Sequence, residues 1–164
     1  MIDQKDRDYL KRAVELAELA LEKGDEPFGS ILVSEKGEIL FEDHNRVSGG
    51  DHTQHPEFAI ARWAANHLTP EERKKAVVYT SGEHCAMCSA AHAWVGLGRI
   101  VYASSTKQLK EWSKEMNLDP SPVKGLAIEE VILNAEVDGP VSEFTEKIRK
   151  LQFKANNKDP NEEN

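Results

Sequence analysis

Three side chains of the types that bind zinc, together with one carboxylate, occupy two short segments of the sequence. Cys85 and Cys88 are three residues apart, and His55 precedes Glu57 by two residues. Zinc prefers nitrogen and thiolate ligands, and catalytic zinc sites commonly use three protein ligands with the fourth position open. The chain contains two cysteines, so a four-cysteine structural site cannot be completed. We therefore predict a zinc site formed by His55, Cys85 and Cys88.

Both segments are expected to begin helices. Cysteines at positions i and i+3 of a first helical turn share a face, and the N-terminal end of a helix lowers the pKa of a thiol, so both can bind as thiolates. His55 stands before Pro56, and a residue before proline is biased towards extended backbone. Its ring can then project from the start of the next helix. We infer that two helix N-termini face one metal ion.

Glu57 lies in the same first turn, where the helix dipole favours a carboxylate. The pattern H-x-E followed by C-x-x-C is the signature of zinc deaminases, in which the Glu moves protons and is not a ligand. Two other interpretations stay open at this point. A C-x-x-C pair inside a cell can be a redox pair, and the histidine of an H-x-E triplet can be a helix-cap or surface residue.

The elements that position these residues follow from hydrophobic periodicity and turn chemistry. In the first part of the chain we predict a helix over 6–23, a β-hairpin of strands 28–33 and 39–41, a loop over 46–54 and a helix from Pro56 to Leu68. A β-α-β unit follows, with strands 76–80 and 99–103 around a helix over 85–95. In the last part we predict a helix over 106–116, a last strand over 128–133 and a closing helix over 141–153. A crossover helix implies parallel strands, whereas a hairpin is antiparallel, so we expect a mixed sheet.

Composition narrows the class of protein. A chain of 164 residues, 39% hydrophobic and 30% charged, suits one globular domain with a sizeable core. A formal net charge of -8 disfavours nucleic acid as the partner. No stretch approaches the roughly 20 apolar residues that span a bilayer, and the charged start does not match a secretory leader. We expect a cytoplasmic protein with no membrane partner and a disordered, polar tail over 156–164.

Four blocks of sequence carry a resemblance to a known family. They are Pro27-Phe28-Gly29, His44-Asn45-Arg46, His55-Pro56-Glu57 and the run from Tyr79 to Cys88. Over about residues 10–103 the chain resembles the cytidine deaminase-like superfamily, and within it the bacterial nucleoside and nucleobase deaminases. That group includes guanine deaminases, fungal-type cytosine deaminases and tRNA adenosine deaminases. The resemblance implies an α/β fold, a three-layer α/β/α sandwich around a five-stranded mixed sheet, with a single CMP/dCMP-type deaminase domain over 1–155 that forms a homodimer.

The resemblance also implies an activity, zinc-dependent hydrolytic deamination. Zinc lowers the pKa of a bound water molecule to around 7. Glu57 is expected to take the water proton and to pass protons to the ring nitrogen and then to the exocyclic amine, so that ammonia leaves. A different class of hypothesis is a non-enzymatic protein that uses the zinc-stabilised fold as a scaffold. Such a protein is expected to lose the proton-carrying glutamate, whereas this chain has Glu57 at that position.

Four residues are candidates for binding the substrate. Asn45 matches the asparagine that hydrogen-bonds substrate in the family, and a turn residue is its alternative. Phe28 either walls the pocket or sits in the core. His84 stands where the family commonly has proline, and it either lines the pocket or faces solvent. Trp94 falls near the position where related guanine deaminases place an aromatic residue against the base, and a buried core residue is its alternative.

The negative net charge of the chain argues against tRNA as the substrate. A free nucleobase or nucleoside fits better. Trp94 favours guanine or a related purine, and cytosine or cytidine is the alternative. Pocket shape decides between them, and a linear sequence does not supply pocket shape.

Overall fold

A mixed sheet of five strands forms the centre of the computed structural model, which describes residues 1–162. The strands are β1 Gly29–Val33, β2 Ile39–His44, β3 Val77–Gly82, β4 Ile100–Ser104 and β5 Val137–Asp138. The α-helices in this part of the chain are α1 Gln4–Glu22, α2 Pro56–His67, α3 Pro70–Lys75, α4 Ala86–Val95, α5 Thr106–Glu115, α6 Ile128–Val131 and α7 Thr145–Ala155.

The order of strands across the sheet is β2-β1-β3-β4-β5. Strand β1 is antiparallel to both β2 and β3, while β3, β4 and β5 run parallel. Helix α4 supplies the crossover between β3 and β4, which is how two parallel strands are joined. The expected hairpin, β-α-β unit and five-stranded mixed sheet are all confirmed.

Helices cover both faces of the sheet because successive residues of a strand point to opposite sides. Ile31 and Val33 of β1 belong to one buried cluster with residues of α1, α5 and α7. Leu32, between them, packs instead with Ile60 and Ala64 of α2. The structure is therefore a helix-sheet-helix sandwich, and α2 and α4 lie together on one side of it.

The prediction of a last strand over 128–133 was wrong. Ile128–Val131 forms α6, and the last strand is β5. The β-branched residues favoured a strand, but acidic side chains satisfy the free N–H groups of a helix start here. The Glu83 carboxylate accepts a hydrogen bond from the Ile128 N–H (2.8 Å), and Glu130 accepts one from the Ala127 N–H (2.7 Å). The sequence analysis also missed α3, which Thr69 caps.

The C-terminal part differs from the expectation in detail. The predicted helix over 141–153 is a short 3-10 helix, Ser142–Phe144, followed by α7. Beyond α7 the chain forms turns as far as residue 162, and Arg149 donates a hydrogen bond to the Pro160 carbonyl oxygen (3.2 Å). Residues 163 and 164 of the expected disordered tail lie outside the described residues. Among residues 1–162, the helices are all too short or too polar to cross a bilayer.

A partly buried ion pair links α1 to the sheet. Asp6 accepts hydrogen bonds from the Tyr79 hydroxyl (2.7 Å) and the Arg99 guanidinium (2.9 Å). Burial alone would raise the pKa of Asp6, but hydrogen bonds from Arg99, the Asp3 backbone and Tyr79 outweigh burial and lower it. Because the pKa is lower in the folded state, Asp6 stabilises the fold above its unfolded pKa of ~3.9, and this contribution disappears as the pH falls through the folded pKa.

We expect Asp6→Asn to lower the free energy of unfolding by about 1.5–3 kcal/mol at pH 7, the usual value of hydrogen bonds to a charged group. The difference from the parent should be smaller at pH 3 than at pH 7, because below ~3.9 the unfolded parent binds a proton at Asp6 and the stabilisation declines. Urea unfolding at both pH values measures this. Asp8→Asn is the control, since Asp8 contacts only an exposed amide of Gln4 among the described side chains. An equal difference at pH 7 and pH 3 would contradict the prediction.

Candidate zinc site and active site

The starts of α2 and α4 bring the three predicted zinc ligands together. His55 is the N-cap residue of α2, and its extended backbone (φ -92°, ψ 141°) directs the chain into Pro56 at the first helical position. Cys85 is the N-cap residue of α4, and Cys88 lies in the first turn of that helix. The expectation of two helix N-termini facing one site agrees with this arrangement.

The spacing of the donor atoms fits a zinc ion. Nδ1 of His55 lies 3.6 Å from the Cys85 sulfur and 3.6 Å from the Cys88 sulfur, and the three ligand atoms are all within 4.8 Å of one another. Zinc binds nitrogen at ~2.0–2.1 Å and sulfur at ~2.3 Å, so tetrahedral geometry places such a nitrogen and sulfur about 3.6 Å apart. His55, Cys85 and Cys88 are thus positioned to hold one zinc ion.

The pKa values of the two thiols shift in opposite directions. A hydrogen bond from Cys88 and the neighbouring His55 lower the pKa of Cys85 to about 4, against the opposing effect of burial. The hydrogen bond to Cys85 and burial raise the pKa of Cys88. The hydrogen bond with Cys85 also raises the pKa of His55. One thiolate is therefore already favoured by the fold, and a divalent cation favours the second.

Glu57 is buried beside these ligands but lies outside their cluster. Its Oε1 accepts hydrogen bonds from Ser30 Oγ (2.9 Å) on β1 and from Thr80 Oγ1 (2.8 Å) on β3. Burial raises the pKa of Glu57, and the bonds from Thr80 and Ser30 oppose this rise. A buried carboxylate with a raised pKa is suited to exchanging protons near neutral pH.

Two of the predicted substrate-binding residues lie at strand ends near the site. Asn45 is buried, and its Oδ1 accepts a hydrogen bond from the Val47 N–H (3.1 Å), which is the turn-stabilising role. Its amide NH2 remains as a donor for a ligand. The half-buried Phe28 ring packs over Gly82, where an added Cβ would come within 3.1 Å of two ring carbons. Gly82 thus lets Phe28 approach the strand end that leads to Cys85.

His84 does not face solvent, so that alternative is wrong. The side chain is buried, with 1% exposure, and its ring meets the His92 ring edge-on at a centroid distance of 5.4 Å. Nδ1 of His84 has no hydrogen-bond partner among the described residues. Burial and the neighbouring His92 lower the pKa of His84 well below its usual value, which favours the neutral ring.

Trp94 is exposed at the end of α4, with 90% of its surface accessible. The alternative of a buried core residue is therefore wrong. Such exposure also means that this one chain does not enclose Trp94 in a pocket, and its role towards a substrate stays a prediction.

Four residues that support the site were missed by the sequence analysis: Ser30, Thr80, Glu83 and His92. The carboxylate of Glu83 accepts hydrogen bonds from the N–H groups of Thr106 (2.9 Å) and Ile128 (2.8 Å), at the starts of α5 and α6. A polar residue in an otherwise apolar buried strand was the available signal for Ser30 and Thr80, because a buried hydroxyl needs a partner. No comparable signal pointed to His92.

Three residues of the types that bind zinc lie together at the starts of two helices, beside a buried carboxylate. This arrangement on an α/β/α fold is typical of a zinc-binding protein. Residues 3–104 match the family described as the cytidine and deoxycytidylate deaminase zinc-binding region. The chain belongs to this family, and the matched region contains all three ligands and Glu57.

The chain is similar to deaminases of three different specificities. A probable cytosine deaminase of Schizosaccharomyces pombe is 36% identical over 66% of this chain and 65% of its own length. A tRNA-specific adenosine deaminase of Aquifex aeolicus is 33% identical over 61% of this chain and 66% of its own length. The chain thus spans just under two thirds of these curated relatives. The solved structure of guanine deaminase from Bacillus subtilis is 25% identical, covers 99% of each chain and has a TM-score of 0.56.

Proposed function

We propose that this protein is a zinc-dependent hydrolytic deaminase that releases ammonia from the exocyclic amine of a free nucleobase or nucleoside. The observation that carries the proposal is the position of Glu57, a buried carboxylate beside three zinc ligands but outside their set. A redox pair would need only the two cysteines, and it leaves His55 and Glu57 without a role. A non-enzymatic scaffold likewise leaves Glu57 without a role.

The chain's own residues account for the proton transfers. Zinc held by His55, Cys85 and Cys88 supplies Lewis-acid activation of water at neutral pH. Glu57 accepts a proton from the attacking water and delivers it to the ring nitrogen. It then takes the proton of the added hydroxyl group and delivers it to the exocyclic amine, so that the C–N bond breaks, ammonia leaves and a carbonyl group remains. The amide NH2 of Asn45 is the proposed donor to the substrate, and Phe28 is the proposed apolar wall.

Guanine or a related purine is the substrate we favour. This choice is supported by the likeness to the solved structure of guanine deaminase from Bacillus subtilis, which is 25% identical and covers 99% of each chain. Cytosine or cytidine is the second candidate, favoured by 36% identity to the Schizosaccharomyces pombe protein. The net charge of -8 opposes tRNA, because an acidic surface repels the phosphate backbone.

Ammonia release from a panel of heterocycles tests this proposal. Guanine, guanosine, adenine, cytosine and cytidine would each be incubated with the zinc-loaded protein, alongside a tRNA. We expect turnover of guanine or another purine. Turnover of cytosine or cytidine alone would replace the purine assignment with the second candidate. Absence of turnover on the whole panel, with zinc bound, would favour the scaffold.

We also propose that the protein is a homodimer, and that the end of α4 lies in the interface. Trp94 and Leu133 are 90% and 91% exposed, and large exposed apolar side chains are typical of contact surfaces. Light scattering at micromolar concentration should give the mass of two chains, and Trp94→Ser should shift the mass towards one chain. Ile39→Ser, on the outer strand β2, is the control for loss of an exposed apolar residue. A monomeric parent would contradict this prediction.

A further inference from the structure

Two buried hydroxyls hold one oxygen of the Glu57 carboxylate. Ser30 on β1 and Thr80 on β3 are directly opposite each other in the antiparallel register, and both are fully buried. Their oxygens lie 2.7 Å apart, and each lies within 2.9 Å of Glu57 Oε1. The three oxygens form a compact triangle between the sheet and the start of α2.

The Thr80 hydroxyl carries one proton, which it can donate to Glu57 Oε1 or share with the Gly82 carbonyl oxygen, 2.9 Å away and two residues further along β3. Ser30 and Thr80 are carried by neighbouring strands inside the sheet, which are more rigid supports than loops. The triangle therefore fixes where Oε1 lies relative to the zinc ligands that follow β3.

The second carboxylate oxygen, Oε2, accepts no bond from these hydroxyls. Glu57 follows the ligand His55 by two residues in the first turn of α2, so it lies beside the ligand cluster. The terminal torsion of a glutamate side chain is broad and weakly restricted by itself. Two hydroxyls at one oxygen restrict this torsion and place Oε1 and Oε2 in different surroundings.

We infer that Ser30 and Thr80 are positioning residues that fix the Glu57 carboxylate through Oε1 and leave Oε2 as the oxygen that carries protons. The inference rests on the proposed function for the proton transfer, although the hydroxyl contacts can be tested without turnover. A proton carrier must stay within hydrogen-bond reach of the atoms it serves. A misplacement of about 1 Å can cost ~10²-fold in rate.

The first measurement is spectroscopic and needs no substrate. The infrared difference between the zinc-loaded parent and zinc-loaded Glu57→Gln isolates the bands of the Glu57 carboxyl group. Thr80→Val and Ser30→Ala should each shift these bands, because each removes a hydroxyl that binds Oε1. Ser81→Ala is the matched control, since it removes a buried hydroxyl from the same strand whose oxygen bonds to the Gly29 N–H. Bands that stay unchanged in Thr80→Val and Ser30→Ala would overturn the inference.

The second measurement is kinetic, on whichever panel substrate the parent deaminates. Thr80→Val should lower kcat about 10- to 100-fold with KM and zinc content little changed, and Thr80→Ser should restore most of the rate. In a Glu57→Gln background, Thr80→Val should lower the residual rate no further, because Thr80 acts through Glu57. An unchanged kcat in Thr80→Val, or an equal further loss in that background, would overturn the inference. Shifted bands in a protein that deaminates nothing would instead refute the proposed function while the carboxylate contacts stand.

Discussion

Glu57→Gln is expected to keep one zinc per chain and the fold of the parent, while ammonia release falls by at least ~10²-fold, the usual cost of losing general acid-base catalysis. The amide keeps the size of the side chain and can still pair with the hydroxyls of Ser30 and Thr80. It has no basic oxygen that can take the proton from water. Substrate should therefore still bind but turn over only at a low residual rate, so KM or a binding constant should change far less than kcat.

Zinc content, melting temperature and ammonia release, measured on one preparation, separate the possible roles of Glu57. Near-normal turnover with intact zinc would show that Glu57 is not the proton carrier. Loss of zinc together with turnover would show that it is a ligand. Glu26→Gln is the matched control, because Glu26 is an exposed carboxylate whose charge raises the pKa of His55 without belonging to the ligand cluster. Removing that charge should leave kcat within a small factor of the parent.

Cys85→Ala is expected to abolish stoichiometric zinc binding and, with it, all measurable deamination. Two remaining protein ligands, His55 and Cys88, do not complete the three-ligand set of a catalytic zinc site. Metal binding also stabilises the folded state, so the melting temperature should fall to that of the chelator-treated parent. Metal analysis of the parent and the variant, purified in parallel, measures this directly.

Met87→Leu is the control for this second prediction, because Met87 lies between the two cysteines and the substitution conserves volume. It should keep its zinc. Full retention of zinc in Cys85→Ala would remove Cys85 from the ligand set. A stoichiometric iron centre in the parent would refute the choice of metal.

Much of the site could be predicted because its chemistry is local in sequence. Cysteines three residues apart at the start of a helix share a face whatever the rest of the fold does, and proline after His55 sets the direction of that backbone. The hairpin and the β-α-β unit are also local patterns, and two of them joined give a mixed sheet.

The features that could not be predicted depend on residues far apart in the chain. Helix α6 forms where the carboxylate of Glu83, a residue of another segment, satisfies its first N–H. The environment of Glu57 comes from Ser30 and Thr80, which lie on two separate strands. In each case tertiary contact, and not local propensity, decides the outcome.

The double hydrogen bond of Glu83 also bears on how this sequence can change. Its carboxylate accepts hydrogen bonds from the N–H groups of Thr106 and Ile128 and so holds both ends of the segment between them. Glu83 itself lies two residues before the ligand Cys85 in the sequence. The entropic cost of closing a loop grows only logarithmically, at about 0.6 kcal/mol for each doubling of length. Within that segment, the loop over 117–127 that joins α5 to α6 can therefore gain or lose residues at small entropic cost while the metal ligands stay in register. Trp112 and Met116, which precede this loop, belong to the buried core and do not share that tolerance.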